Sequence, residues 1–524
     1  MSAEQSSWVP KSNPWAVAIV VTIAVFMEIL DTTIVNVALP HIAGSLSSSY
    51  DESTWVLTSY LVANGIVLPV SAFLSRTFGR KNYFMICILM FTVCSLLCGI
   101  ATELWQMILF RLLQGFFGGG LQPVQQSVLL DYFKKEDRGK AFGLSSIAII
   151  VAPILGPTLG GLITDSYSWR WVFLINIPIG VIALIAIYQL LEDPPWEKKT
   201  KDKLSIDYIG IGLITLGLGC LQVMMDRGED DDWFQSSFIV TFAILAVIGI
   251  VGAVYWLLYT KKKKPVVDLR CLKDKNFAVS SLLMAGMAMI LYGSSVAIPQ
   301  LAQQQLGYTA TLSGLVMSPG AILIVLSIPL VLKLMPIVQT RYLIAFGFSI
   351  MTVAFLYSMT LVPNVDFETL VMYRSAQSLG LGFLFVPLTT IAFITLPQRL
   401  NADAAALFTM FRNVAGSIGI SLSTAGITER SQAQSAHMVH NMTPLNEQFN
   451  LAVEKGAAAI RDYTSIVGDP MTLATSRMYQ EMVSQAKILA YIDVFSYCAI
   501  IACVLVPLCF LLSPVKSEGS AGAH

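Results

Sequence analysis

Apolar segments of about twenty residues recur along the whole chain. They lie near 15–38, 55–75, 83–101, 105–130, 142–163 and 171–191, then near 207–225 and 237–259. Six more follow near 277–298, 312–332, 342–361, 370–396, 404–426 and 488–512. Roughly 20 apolar residues in a helix cross the hydrocarbon core of a bilayer, which is about 30 Å thick. Lipid offers no partner to an open backbone, so each run is read as a helix. The expected fold class is therefore all-α integral membrane, with about 14 transmembrane helices. Composition agrees: 13% of residues are charged, against about 25% in a soluble domain. A formal net charge of zero leaves no basic excess for nucleic acid. The first run carries Glu28 and Asp31 and lacks a small-residue cleavage site, so it is expected to be retained as a span.

Basic residues collect in alternate loops. These hold Arg76, Arg80 and Lys81; Lys134, Lys135, Arg138 and Lys140; Lys198 to Lys203; Lys261 to Lys264 with Arg270, Lys273 and Lys275; Lys333 and Arg341; and Arg399. The positive-inside bias then puts both termini in the cytoplasm. A polar outer segment, 427–487, is too long for a tight turn. It contains two helical-looking pieces, 447–463 and 473–487, and is either solvated or a docking surface.

An internal echo divides the chain. Arg111-Leu-Leu-Gln114 with Pro123 is matched by Arg374-Ser-Ala-Gln377 with Pro387, and Ala152-x-x-x-Gly156 by Ala415-x-x-x-Gly419. Two related six-helix halves would handle a substrate near the midplane between them. The expected domains are a tail at 1–14, a first half at 15–191 and an inserted helix pair with linkers at 192–276. A second half at 277–512 and a tail at 513–524 complete the chain.

Charges inside apolar runs are the candidate site. Glu28 and Asp31 are three apart, on one face of the first helix. Ionisable groups at membrane depth are costly and face a cavity or a partner. Either acid can exchange a proton for a cationic substrate, or make a static polar contact. Arg111 is the candidate counter-ion, with Gln114 beside it. Arg374, Gln377, Arg412 and Asn413 are second-half counterparts, and Asp493 is a further intramembrane acid, in a coupling or a purely structural role. In the fifth run, Ala152, Gly156, Pro157, Gly160 and Gly161 make a helix whose prolines favour a bend and whose glycines admit a close neighbour. Such a helix fits either ordinary packing or a sliding contact between halves. The loop with Gly79, Arg80 and Lys81 could latch the halves through helix-end acids such as Asp131, or serve topology alone.

No phosphate-cradling glycine loop, histidine cluster or nucleophile set is visible, so the expectation is no enzyme, no metal and no cofactor. An ion gradient is the expected energy source.

Together the motifs resemble the major facilitator superfamily, in its fourteen-span drug:proton antiporter branch of the EmrB/QacA type. Residues 152–161 are similar to the antiporter signature G-x-x-x-G-P-x-x-G-G, with Ala152 in the first glycine place. Leu30–Pro40, Arg111–Gly115 and Trp169–Gly180 are similar to further motifs of that branch. The basic loop departs from the family pattern, with Ala72 for glycine, Arg76 for aspartate and Thr77 for arginine. The resemblance implies a proton-coupled multidrug exporter of the bacterial inner membrane that works by alternating access. It implies proton or drug handling by Asp31, Glu28 and Arg111, and a periplasmic adaptor with an outer-membrane channel as partners. A dedicated carrier of one metabolite or siderophore, and a non-transporting receptor or scaffold, are the alternatives.

Overall fold

The computed structural model describes residues 10–194, 207–259, 266–362, 365–397, 400–443, 445–462 and 469–514. The basic stretches at 198–203 and 261–264, Arg399, and residues 1–9 and 515–524 of the tails lie outside them. All regular structure among the described residues is helical. The first half comprises α1 (Pro14–Ser45), α2 (Trp55–Phe78), α3 (Arg80–Gly99), α4 (Leu104–Gly118), α5 (Leu121–Tyr132), α6 (Arg138–Ser166) and α7 (Asn176–Leu190). The inserted pair is α8 (Tyr208–Arg227) and α9 (Ser237–Tyr259). The second half begins with α10 (Lys275–Gln300), α11 (Ala310–Leu334), α12 (Thr340–Ser358), α13 (Phe367–Gly382) and α14 (Phe385–Ile394). It ends with α15 (Asn401–Val439), α16 (Glu447–Asp462) and α17 (Pro470–Leu508).

Local sequence explains the helix starts. Asn13 accepts from the Trp15 amide ahead of Pro14 in α1, and Asp207, Asp274, Thr309 and Asp469 cap α8, α10, α11 and α17. Thirteen helical segments are long and apolar enough to cross a membrane. The run near 105–130 is divided between α4 and α5. At the division, a Cβ on Gly119 would lie 2.6 Å from the Asn64 carbonyl oxygen, and one on Gly118 2.9 Å from the Tyr60 hydroxyl. Only glycine lets α2 press this close.

The packing repeats between the halves. α1 lies on α6 as α10 lies on α15, α2 on α4 as α11 on α13, and α3 on α7 as α12 on α17. The seam is formed by α6 against α11 and by α2 against α15, with α8 packed on α2 and α15 at its edge.

α6 remains a single helix through Pro153 and Pro157. Its signature glycines face α1 of their own half. A Cβ on Gly160 would lie 2.9 Å from the Ile34 carbonyl oxygen, and one on Gly156 would run into Thr33. Thr33 also donates to the Ala152 carbonyl at 3.5 Å. In this arrangement Gly156 and Gly160 thus pack within the first half. The contact of α6 with the second half is made by another face, where Thr158 meets Gly314 and Gly143 meets Ile328.

The seam is closed at the end carrying residues 10 and 514. Arg76 reaches across to Asp403 at 2.5 Å, and Asn401 donates to Asp131 at 3.2 Å. Arg80 pairs with Asp131 within the first half, and Phe142 stacks on Phe393 at 5.9 Å. Gly79 takes a positive φ of 82°, and Lys81 ties to the Tyr188 carbonyl at 2.6 Å. The latch expected at Gly79–Lys81 thus stays inside one half, and Arg76, in the place of the family's aspartate, makes the crossing.

At the opposite end, α15 and α17 are each 39 residues long. This departs from the expected spans at 404–426 and 488–512: the last span and the expected helical piece at 473–487 are one continuous helix. α16 packs onto α17 through Val453, Ala457 and Ala474.

Candidate functional site

The two acids of α1 enter different surroundings although they share a face. Asp31 turns into the first half. Its carboxylate accepts from Arg111 Nη1 at 2.6 Å, Asn176 Nδ2 at 2.7 Å and Gln114 Nε2 at 3.2 Å. Arg111 Nη1 also donates to Gln114 Oε1 at 2.9 Å, and its Nε to the Val56 carbonyl at 3.3 Å. The guanidinium lies 4.2 Å over the Tyr60 ring, a cation–π contact strengthened by the dry site. Asp31, Arg111 and Gln114 are each at most 1% exposed. The charges are compensated inside one half, as burial demands.

Glu28 turns toward the seam. Gln122 Nε2 donates to one carboxylate oxygen at 2.6 Å, while Asn64 Nδ2 at 2.9 Å and the Tyr60 hydroxyl at 3.3 Å donate to the other. Gln122 Oε1 in turn accepts from Arg412 Nη2 of the second half. One amide thus bridges an acid of one half and a cation of the other.

A cavity of about 650 Å³ opens beside this bridge. It is lined by Glu28, Tyr60, Arg111, Tyr292, Asn413 and Asp226 among others, and it extends to Glu229 and Asp230 at the end away from the termini. The rim includes the inserted pair, because Gln222 of α8 bonds Ser417 of α15 at 2.9 Å and Asp226 at 3.0 Å.

The second-half candidates divide. Arg412 and Asn413 belong to the site, Nε of the first donating to Oδ1 of the second at 3.3 Å. Arg374 is fully buried but bonds the hydroxyls of Ser294 at 3.0 Å and Ser295 at 3.2 Å, while Gln377 donates to Ser358 at 2.9 Å. Asp493 pairs with Arg430 at 2.8 Å, outside the site. The cation beside Asp493 is thus Arg430 of α15, with Arg374 and Arg412 placed elsewhere. Sequence reasoning missed Tyr60, Asn64, Gln122 and Asp226. The polar spacing Gln122, Gln125, Gln126 inside an apolar run was the available signal.

Two pseudo-repeated helical halves with a cavity between them and buried charges at its wall are the architecture of a membrane transporter fold. Residues 21–420 match the Major Facilitator Superfamily, and the chain belongs to that family. The multidrug export protein EmrB of Escherichia coli K12 is 35% identical over 509 residues, covering 97% of both chains. The fatty acid resistance protein FarB of Neisseria gonorrhoeae is 32% identical over 500 residues, covering 95% of this chain and 96% of its own. The crystal structure of the human organic anion transporter MFSD10 (TETRAN) superposes with a TM-score of 0.55 at 11% identity. It covers 94% of this chain and 100% of that one.

Proposed function

We propose that this protein is a proton-coupled multidrug exporter of the bacterial inner membrane. In this reading it takes up amphipathic or cationic compounds and releases them outward by alternating access, driven by the proton gradient without a cofactor. The observation that carries the reading is the cavity: 650 Å³ is room for a drug-sized guest, and the carboxylate of Glu28 stands at its wall. Both termini would be cytoplasmic and the chain would cross fourteen times, with α4 and α5 as one crossing. The captured arrangement is then open outward. The helical segment at 427–487 would meet a periplasmic adaptor leading to an outer-membrane channel.

The chemistry assigns the acids unequal parts. Asp31 already accepts three hydrogen bonds and faces a cation inside its own half, so it holds Arg111 and the α1–α4 contact. Glu28 lines the cavity and is bridged to the opposite half, so it is the acid that exchanges a proton for a substrate cation. Arg111, the cation that lines the cavity, is already paired with Asp31 and is not offered to an anionic substrate.

The test is proton release from acidified everted vesicles as drugs are added. Wild type should release protons and Glu28→Gln should not. If Glu28→Gln behaves as wild type while Asp31→Asn fails, the coupling acid is Asp31. No release from folded wild type with any drug would reject the exporter reading.

A further inference from the structure

We propose that Gln122 is the positioning residue that passes the protonation of Glu28 across the seam to Arg412. The inference rests on the reading of Glu28 as a proton-exchanging acid and adds how that exchange reaches the other half.

The orientation of the Gln122 amide is dictated by its neighbours. A guanidinium can only donate and a carboxylate can only accept. Nε2 must therefore face Glu28 and Oε1 must face Arg412, as observed. Turned over, the amide would set its NH2 against a cation and its carbonyl against an anion.

The bridge is therefore strongest with Glu28 ionised. A proton on the oxygen facing Gln122 makes a donor meet a donor, and the amide can recover that bond only by turning its NH2 toward Arg412. A proton on the other oxygen leaves Gln122 donating to a neutral carbonyl. That bond is about half as strong as a charge-assisted one. It also removes the negative charge that Arg412 faces through the amide. Both routes weaken the hold of α5 on α15.

Besides Gln122, Arg412 has the Phe385 ring at 6.0 Å and Tyr292 nearby, neither of which answers its charge with a carboxylate. It is 1% exposed, its Nη1 has no hydrogen-bond partner among the described residues, and its remaining bond is to its neighbour Asn413. The other charged or titratable groups near Glu28 are Tyr60 of α2, Asp31 of its own helix, Arg111 of α4, Asp226 of α8 and Tyr292 of α10. Asp31 and Arg111 compensate one another, and among the described residues Gln122 alone connects Glu28 by hydrogen bonds to a charge of the opposite half.

The experiment uses the full-length protein in nanodiscs without drug. Spin labels are placed at Asn82→Cys and Lys333→Cys, on opposite halves at the closed end, with the exposed Cys503 replaced by Ser. Pulsed electron–electron distances are followed from about pH 5.5 to 8.5. Wild type should change its distance distribution with a defined midpoint. Gln122→Met should flatten that titration or move its midpoint by at least about one unit. Glu28→Gln should hold the acid-side distance at every pH. Arg412→Gln leaves α5 intact and serves if Gln122→Met does not fold; it should also hold the acid-side distance. A wild-type midpoint in Gln122→Met or Arg412→Gln, or no pH response in wild type, overturns the inference. Absence of drug flux in wild type would reject the exporter reading and leave this titration standing.

Discussion

Arg76→Ala should loosen the closed end of the seam by about 2 kcal/mol. The magnitude follows from burial. Asp403 is 3% exposed and Arg76 37% exposed by side chain. Breaking a fully buried pair costs about 3–5 kcal/mol because a charge is left without compensation. An exposed pair contributes about 0–1 kcal/mol. One buried and one part-exposed partner fall between. The Asp268 backbone also donates toward Asp403, which offsets part of the loss of Arg76 and keeps the cost below that of a fully stranded charge. About 2 kcal/mol corresponds to roughly a 30-fold shift in the closed-to-open ratio. The assay is alkylation of a cysteine at Ser75, a buried position at the closed end, in the Cys503→Ser background. Its rate should rise about 30-fold in Arg76→Ala if opening limits access. Adding Asp403→Asn removes the stranded charge and should return much of the loss. A rate within about twofold of the parent, or no effect from Asp403→Asn in that background, would refute the reasoning.

Two further outcomes follow from local geometry. Gly156→Ala should destabilise the α1–α6 contact by about 1–3 kcal/mol, the usual cost of overpacking, seen as earlier loss of monodispersity on heating in detergent. Thr33→Ala should restore part of it, because the nearest obstructing atom is the Thr33 hydroxyl. At α17, the Thr472 hydroxyl and amide hold the Asp469 carboxyl below its ordinary value of 3.8. A depressed carboxylate stabilises the cap above that ordinary value, and the contribution disappears as pH falls through the folded-state value. Amide exchange over residues 471–473 should therefore speed up, relative to intrinsic rates, on strong acidification. In Asp469→Ala it should be fast at every pH.

Much of the architecture was legible because lipid leaves few options. An apolar run of twenty residues has one structural solution, and an acid inside it has few reasons to be there. Asp31, Glu28 and Arg111 announced themselves in that way, and the structure gathers all three. Asn176 was visible only as part of a motif, because an uncharged amide breaks no rule of composition. Gln122 escaped for the same reason, although it joins Glu28 to Arg412. The Arg76–Asp403 pair links residues 327 apart in sequence, and nothing in either local sequence names the other. The extent of α15 and α17 was hidden because hydropathy marks where a helix leaves the lipid, not where it stops. Asp226 lies on the inserted pair, whose position against α2 and α15 no internal echo could supply.

Those two long helices have a mechanical consequence. A helix of 39 residues is about 58 Å long, while the hydrocarbon core takes up about 30 Å. The remainder carries α16 clamped to α17 by a small apolar cluster. A continuous helix does not bend at the water line without a proline, glycine pair or bulge. Any change of tilt within the second half is therefore carried outward as a swing. About 10° of tilt moves a point about 28 Å beyond the lipid by roughly 5 Å. Among the described residues the outer head is clamped to α17 of the second half, so it would act as a lever arm, and a body resting on it would feel any such tilt as a push.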